Sequence, residues 1–474
     1  MSSVSALNSL LSSSSSAPSS LDGIDLSSLL EAATGSSSAG IDVNAAVSSA
    51  VTAAEAPEQA WQTQETALQN QATALNQLNT DATNLDNDMQ SLNSLTGPLS
   101  ARVATSSDST ILSAGAASGS AVGNHVITVN SLAATASWAS NTVASATTDL
   151  PAGSFTITAG GTATTITTGT GASTLGDVAT EINGDNLGVT ASVITDATGS
   201  RLAIVSNTSG ANGNFTVGSG GLTFNQAVTG VNASLTVDGI AISSASNTVT
   251  GALPGVTLNL LNANPNENVS LSIAPDTSQA STAINQFVTD YNQAIKDLNT
   301  QFTDTGSGEG VVASDSVVRN LQSDLEQALD YTYTPTSGTT TVSSLSSLGI
   351  TVGNDGTLTA DSATLDSALQ NNFSDVQNFF QGTSLNGFAN ALDQQLTSFT
   401  SPADGAFTVD LQSLTTQYSG LQTDVSNFQT NYIVPLQSQL QSDFSKAEIA
   451  LQQLPTELNQ INTELGLNTS SSGH

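Results

Sequence analysis

Apolar residues recur every three or four positions at both ends of this chain and every second position through its middle. After Asp42, Val43, Ala46, Val47, Ala50, Val51 and Ala54 form one stripe, and Pro57 either interrupts that helix or opens a second. From Trp61 the spacing continues through Gln64, Leu68, Gln71, Leu75, Leu78, Ala82, Leu85, Met89 and Leu92 until Gly97-Pro98. About 40 helical residues span on the order of 60 Å. A matching series near the other end runs Leu411, Leu414, Tyr418, Leu421, Val425, Phe428 and Tyr432. Pro435 is expected to kink or shift it, and it resumes at Ala447, Leu451, Leu454, Leu458, Ile461 and Leu465. A chain with paired helical ends returns to its own start.

Between about 101 and 275 the period falls to two. Phe155 to Thr158, Gly160-Gly161 and Thr165 to Thr167 read as a β-hairpin. Val189 to Ile194 and Arg201 to Val205 read as strands around a turn at Asp196 to Gly199, after a short helix at Thr174 to Asn183. Further strands fit Ala233 to Val237, Ala241 to Ser243, Val256 to Leu261 and Val269 to Ile273, so the middle predicts sandwich or barrel-like modules. Past Pro275 the helical period returns. It marks Ile284, Phe287, Val288, Tyr291, Ile295 and Leu298, then Ser316 to Leu329, then two short helices carrying Leu365, Leu369, Val376, Phe379 and Phe380. A small extended element with a turn at Asn354-Asp355-Gly356 lies between them. The fold class expected is α+β and multidomain. Terminal helices form a coiled-coil stalk, beside a helical body and β-rich heads.

Composition narrows the function. The chain has 474 residues, 9% of them charged, with 39 acidic against 5 basic residues and a net charge of −34. Arg102, Arg201, Lys296, Arg319 and Lys446 are too scattered to neutralise nucleic-acid phosphates or meet an anionic membrane. There is no cysteine, which excludes disulfides, thiolate metal sites and cysteine nucleophiles. No apolar run reaches the roughly 18 residues of a membrane span. Met1 to Ser20 lacks the charge and apolar core of a secretory signal peptide, so the chain is either cytoplasmic or exported by another route. Residues 1–40, with the homopolymer Ser12 to Ser16, read as disordered, as does the tail.

Candidate chemistry is sparse. His125 falls in a strand with no evident Ser or Asp partner, and His474 is the last residue. Asp238-Gly239 and Asp355-Gly356 read as turns, and Asp81, Asp86 and Asp88 as a solvated helix face. Gly160-Gly161 and Gly218 to Gly221 lack the context of a phosphate loop. No catalytic, cofactor or metal residue is assigned.

Four segments together resemble a family. They are Gly40-Ile41-Asp42-Val43-Asn44 with Val47 to Ala54 and Glu55-Ala56-Pro57; Ile182-Asn183 with Gly188 to Val193 and Arg201 to Ser206; Asn247 to Thr250 with Pro254 to Leu258; and Phe287-Val288, Tyr291-Asn292, Leu348-Gly349-Ile350 and Asp355 to Leu358. They resemble the flagellar hook-associated protein 2 family, the filament caps, and the second is similar to the IN motif of flagellin and hook proteins. The resemblance implies a secreted, extracellular, non-enzymatic cap at the filament tip. It implies a homo-oligomeric ring, pentameric in well-known members, that helps flagellin fold and insert and prevents monomer loss. Implied partners are flagellin, the hook–filament junction proteins and an export chaperone on the C-terminal helix. Type III export reads a disordered N-terminus, and some members adhere to surfaces. Family C-terminal helices commonly carry charges beside their heptads, whereas residues 411–465 here contain only Lys446 among basic residues.

On this reading the domains are 1–40, an export and leg segment; 41–100, leg and stalk; 101–148 plus 231–275, the first β head; 149–230, an inserted second head with the IN motif; 276–405, the helical body; 406–466, the C-terminal helix; and 467–474, the tail. Stalk packing is assigned to Leu75, Leu78, Leu85, Met89, Leu92, Leu411, Leu414, Tyr418, Leu421, Val425, Phe428 and Tyr432, with Leu75 to Leu92 facing Leu411 to Tyr432. Partner contacts are assigned to Val43, Val47, Val51, Leu451, Leu454, Leu458 and Ile461. An exported adhesin and a flagellin-like axial protein are the alternative readings.

Overall fold

The computed structural model describes residues 43–169, 174–303, 308–335, 338–383 and 386–464, except the side chains of Leu451, Leu454 and Leu458. The expected disordered segments 1–40 and 467–474 lie outside the described residues. Two compact units form. One gathers the described residues up to Ala82, Lys296–Gln322 and those from Thr397 on; the other holds Thr83–Ile295 and Ser323–Leu396.

The first unit is helical. Helix α1, Val43–Ala54, is followed by α2, Ala56–Asn93, whose residues up to Ala82 belong to this unit and whose residues from Thr83 belong to the second. Pro57 stands at the start of α2, where its missing N–H has no intrahelical role, so it opens the second helix. Near the other end, the chain's last two helices run Ala406–Phe428 and Val434–Glu464, joined by a π-helical turn at Gln429–Ile433. α1 packs on the final helix through Ala46, Val47 and Ala50, all buried. Small side chains there let the two backbones approach.

The second unit contains two β modules and a helical part. Fifteen strands, β1–β15, build the modules. The first module is a sandwich. Its larger sheet has the order β1-β15-β3-β11-β12, comprising β1 Arg102–Ser106, β3 Gly123–Ser131, β11 Ala233–Val237, β12 Ile240–Ser244 and β15 Val269–Pro275. Its smaller sheet is β13-β14-β2, comprising β2 Leu112–Ala116, β13 Thr248–Leu253 and β14 Val256–Leu260. Alternation turns Ile127, Val129, Leu235, Leu258, Leu271 and their neighbours into one shared core.

The second module pairs a sheet β10-β4-β8-β7 with a sheet β6-β5-β9. Its strands are β4 Thr135–Ser140, β5 Gly153–Ala159, β6 Thr162–Thr168, β7 Val189–Asp196, β8 Gly199–Ser209, β9 Phe215–Val217 and β10 Phe224–Val228. Helix α3, Leu175–Gly184, adds Leu175, Val178 and Ile182 to this core, and a capping box at Thr174 and Asp177 starts it. No sheet closes into a barrel among the described residues. The boundary expected at 149 moves: β4 pairs with β8 and β10, and Val143 bridges Ser200, so residues from 135 on join the second module. The isolated Trp138 carries no alternation strong enough to reveal β4 in the sequence.

The helical part holds α4, Thr277–Phe302, up to Ile295; α5, Ser316–Ala328, from Ser323; the ribbon of β16, Ile350–Val352, and β17, Leu358–Ala360; then α6, Ser362–Asn371, α7, Phe373–Gln381, and α8, Phe388–Thr400, up to Leu396. The rest of α4, α5 and α8 belongs to the first unit. The final two helices are therefore α9 and α10. Phe287 of α4 meets Phe388 of α8 edge-on at 5.6 Å, and Phe388 stacks on Phe379 of α7 at 5.5 Å.

Three asparagines explain why the family-like segments matter structurally. Asn183 donates to Ala191 O at 2.9 Å and accepts from Ala191 N at 2.8 Å, fastening α3 to β7. Asn292 makes the same pair with Leu358, at 2.8 and 2.6 Å. Asn247 makes it with Ala133, at 3.1 and 2.7 Å. A primary amide alone among neutral side chains supplies a donor and an acceptor side by side, so it substitutes for a missing strand partner.

Candidate assembly surfaces

The two ends of the first unit meet antiparallel. Glu58 accepts a hydrogen bond from Gln429, Trp61 packs against Phe428, and Gln69 donates to the Tyr418 hydroxyl at 2.9 Å. Positions rising along α2 thus face positions falling along α9. This corrects the expected register. The residues facing Tyr418 to Gln429 are Glu58 to Gln69, whereas Leu85, Met89 and Leu92 are buried within the second unit. A heptad stripe says which face is apolar but not how far two helices slide, because a one-heptad shift preserves the face. The Trp61 and Phe428 rings break that degeneracy.

Along α9, Leu421 is buried and Leu411, Leu414, Tyr418, Val425 and Phe428 are half-buried. Tyr432 breaks the series: it is 42% exposed, while Ile433 is 3% exposed. The π-turn inserts one extra residue per turn and rotates the stripe by one position. Pro435 supplies the cause, since its ring collides with the carbonyl four residues earlier in a regular helix. Beyond it, Leu436, Leu440 and Phe444 carry the half-buried stripe, residues the sequence reading did not select. Leu75 and Leu78 are buried as expected of packing residues.

The residues assigned to partner contact divide. Val47 is 3% exposed, covered within the chain where α1 packs on α10, so it is not an open surface; Val43 and Val51 are half-buried. Ile461 is half exposed, and the side chains of Leu451, Leu454 and Leu458 lie outside the described ones. Pro455 is accommodated inside α10. Ile449 stands 56% exposed on the same helix.

Charge enters the helical parts as paired acids. Burial pushes the Asp88 carboxyl of α2 up to about 7, helped by a carboxyl–carboxyl hydrogen bond and charge repulsion with Asp290 of α4. In the first unit, burial likewise raises Asp410, with Asp315 adding repulsion and a shared hydrogen bond. Asp81 and Asp86, expected on a solvated face, are buried. Gln381 of α7 caps the end of α2, donating to Leu92 O at 3.0 Å and Ser94 O at 3.1 Å.

His125 does have an acidic partner, contrary to the sequence reading. Its Nδ1 lies 2.7 Å from Asp238 Oδ2, and Asp238 Oδ1 accepts from Val126 N at 2.9 Å. The two are 113 positions apart in sequence and meet because β3 pairs with β11. Asp238 begins the β11–β12 turn with φ of 52°, and its hydrogen bonds from His125 and Val126 lower its pKa. The pair secures a turn. Among the described residues, no three His, Cys, Asp or Glu side chains group to hold a metal ion, and no helix is long and apolar enough to cross a membrane.

Comparison with known proteins agrees with this architecture. Family models described as flagellar hook-associated protein 2 N-terminus and C-terminus match residues 39–136 and 230–460, and the flagellin hook IN motif matches residues 154–208. The chain is 30% identical over 398 residues to the B-type flagellar hook-associated protein 2 of Pseudomonas aeruginosa, covering 76% of this chain and 79% of that one. It is 27% identical over 328 residues to the flagellar hook-associated protein 2 of Aeromonas caviae, covering 63% and 69%. The crystal structure of the D1-D2-D3 domains of the flagellar cap protein FliD from Escherichia coli is similar with a TM-score of 0.58 at 27% identity, over 72% of this chain and 99% of that one. With β modules inserted between helical ends and family matches spanning both, the chain belongs to the flagellar hook-associated protein 2 family.

Proposed function

We propose that this protein is the structural cap at the tip of the bacterial flagellar filament. The observation that carries the reading is the agreement with filament-cap relatives across 76% of the chain in one case, in a fold with the cap protein's architecture. The cap acts without catalysis. Several copies form a ring, and flagellin arriving at the tip folds and inserts beneath it instead of diffusing away. The helical ends reach toward the filament and its junction proteins. The chain is secreted before assembly, and the C-terminal helix meets a chaperone beforehand. The exposed stretch around Ile449 and Ile461 supports a binding role for α10.

Deletion of the gene tests this. The expected result is non-motile cells that release unpolymerised flagellin into the medium, with filaments restored by the intact gene. Filaments of normal length in the deletion strain would overturn the reading.

A further inference from the structure

The β5–β6 hairpin turns on Gly160-Gly161, with φ of 58° and 83°. Two successive positive values make a type I′ turn, whose flanking residues Ala159 and Thr162 form a hydrogen-bonded pair. Alternation then leaves Thr158 and Ala163, Thr156 and Thr165, and Ser154 and Thr167 as the pairs that do not bond to each other. β5 is covered on its far side by β9, but β6 is an outer strand. Ala163, Thr165 and Thr167 therefore direct their backbone N–H and C=O groups off the sheet edge, and all three residues are exposed. Among the described residues, no hydrogen bond engages those groups.

Outer strands ordinarily carry a protective device: a charge, a proline, a bulge or extreme shortness. β1 begins with Arg102, β7 ends at Asp196 paired with Arg201, β10 and β13 are bulged, and β9 has three residues; β2 and β12 carry no such device but have five residues each. β6 has seven residues in unbroken register with β5, and no proline or charge. From Leu150 to Gly176 the chain contains no Asp, Glu, Lys or Arg. In a protein of net charge −34, two copies repel over most of their surface. This edge is a place where they meet without opposing carboxylates.

We propose that β6 pairs antiparallel with β6 of a second copy, about a two-fold axis at Thr165. Thr165 faces its own counterpart and Ala163 faces Thr167, with about six backbone hydrogen bonds across the seam. The two three-stranded sheets become one continuous sheet. A single strand pair buries less than the roughly 1,200 Å² of a stable interface, so the contact is transient between free copies. It is reinforced where two assemblies, each holding several copies, face one another across such an axis. This contact is separate from the cap reading and stands or falls in vitro.

The full chain lacks cysteine, so any disulfide in a Thr165→Cys variant joins two copies. Facing Cα atoms in such a pair lie about 5.5 Å apart, within disulfide reach. Mild oxidation is expected to give covalent dimer about tenfold faster than in an Asn225→Cys control on exposed β10. Adding Ala163→Lys or Thr167→Pro to Thr165→Cys is expected to return the rate to the control while circular dichroism stays unchanged. Equal rates for Thr165→Cys and the control would overturn the proposal. So would a rate insensitive to both added substitutions, or faster coupling to a Ser243→Cys partner on β12 than to itself.

Discussion

The ring of Trp61 meets the ring of Phe428 edge-on, with centroids 5.3 Å apart and planes at 90°. These residues lie near opposite ends of the chain, so one aromatic contact sets the axial register of α2 against α9. Edge-to-face pairs contribute about 0.5–1.5 kcal/mol beyond the area they bury. Trp61→Ala or Phe428→Ala is expected to destabilise the first unit by about 1–3 kcal/mol, read by urea unfolding. The double substitution is expected to cost less than the sum of the single ones, because the pair is shared. Strict additivity would show that the rings do not interact.

The π-turn separates two neighbouring residues that a regular heptad does not. Ile433→Asp places a carboxylate in a buried position and is expected to cost about 3 kcal/mol or more. Tyr432→Asp changes an exposed residue and is expected to stay within about 1 kcal/mol. Thermal unfolding of the two variants compares them directly. The reverse ranking would restore the unshifted stripe.

The Asp88 and Asp290 pair makes stability depend on pH. Asp88 in the folded chain holds its proton up to about 7, well above its ordinary value of 3.8. The folded state then binds more protons than the unfolded state between those values. Its contribution is fully present below about 3.8 and is lost as pH rises through 7. Asp410, raised in the same sense, acts in the same direction. Denaturant midpoints are expected to fall as pH rises from about 5.5 to about 8, across the Asp88 titration. Asp88→Asn is expected to flatten that trend, and an equally steep trend in the variant would contradict this assignment.

Asn292 gives a third measurement. Asn292→Ala leaves both Leu358 N and Leu358 O without their partner, an expected cost of about 1–3 kcal/mol. Asn292→Asp still accepts from Leu358 N but turns a second oxygen toward Leu358 O, so it is expected to cost a comparable amount. Amide exchange at Leu358, followed by NMR or mass spectrometry, is expected to accelerate in both variants. Unaltered exchange would mean that the ribbon does not depend on this side chain.

Local periodicity made the long helices and several hairpins legible. The stripe from Leu75 to Leu92, the Gly160-Gly161 turn and the Asp196 to Gly199 turn all coincide with elements of the structure. The misses involved information that periodicity does not carry. Axial register depended on Trp61 and Phe428. The shift from Tyr432 to Ile433 depended on a steric response to Pro435. The His125 and Asp238 pair depended on strand order, and β4 was hidden because its residues Thr135 to Ser140 alternate weakly. The buried face with Asp81 and Asp86 was misread because acidic residues ordinarily stay in water.

Immunogold electron microscopy of flagella, with an antibody raised against this protein, tests the cap assignment most directly. The account predicts label at the distal tip of each growing filament. Label distributed along the filament, or confined to the cell surface, would contradict it.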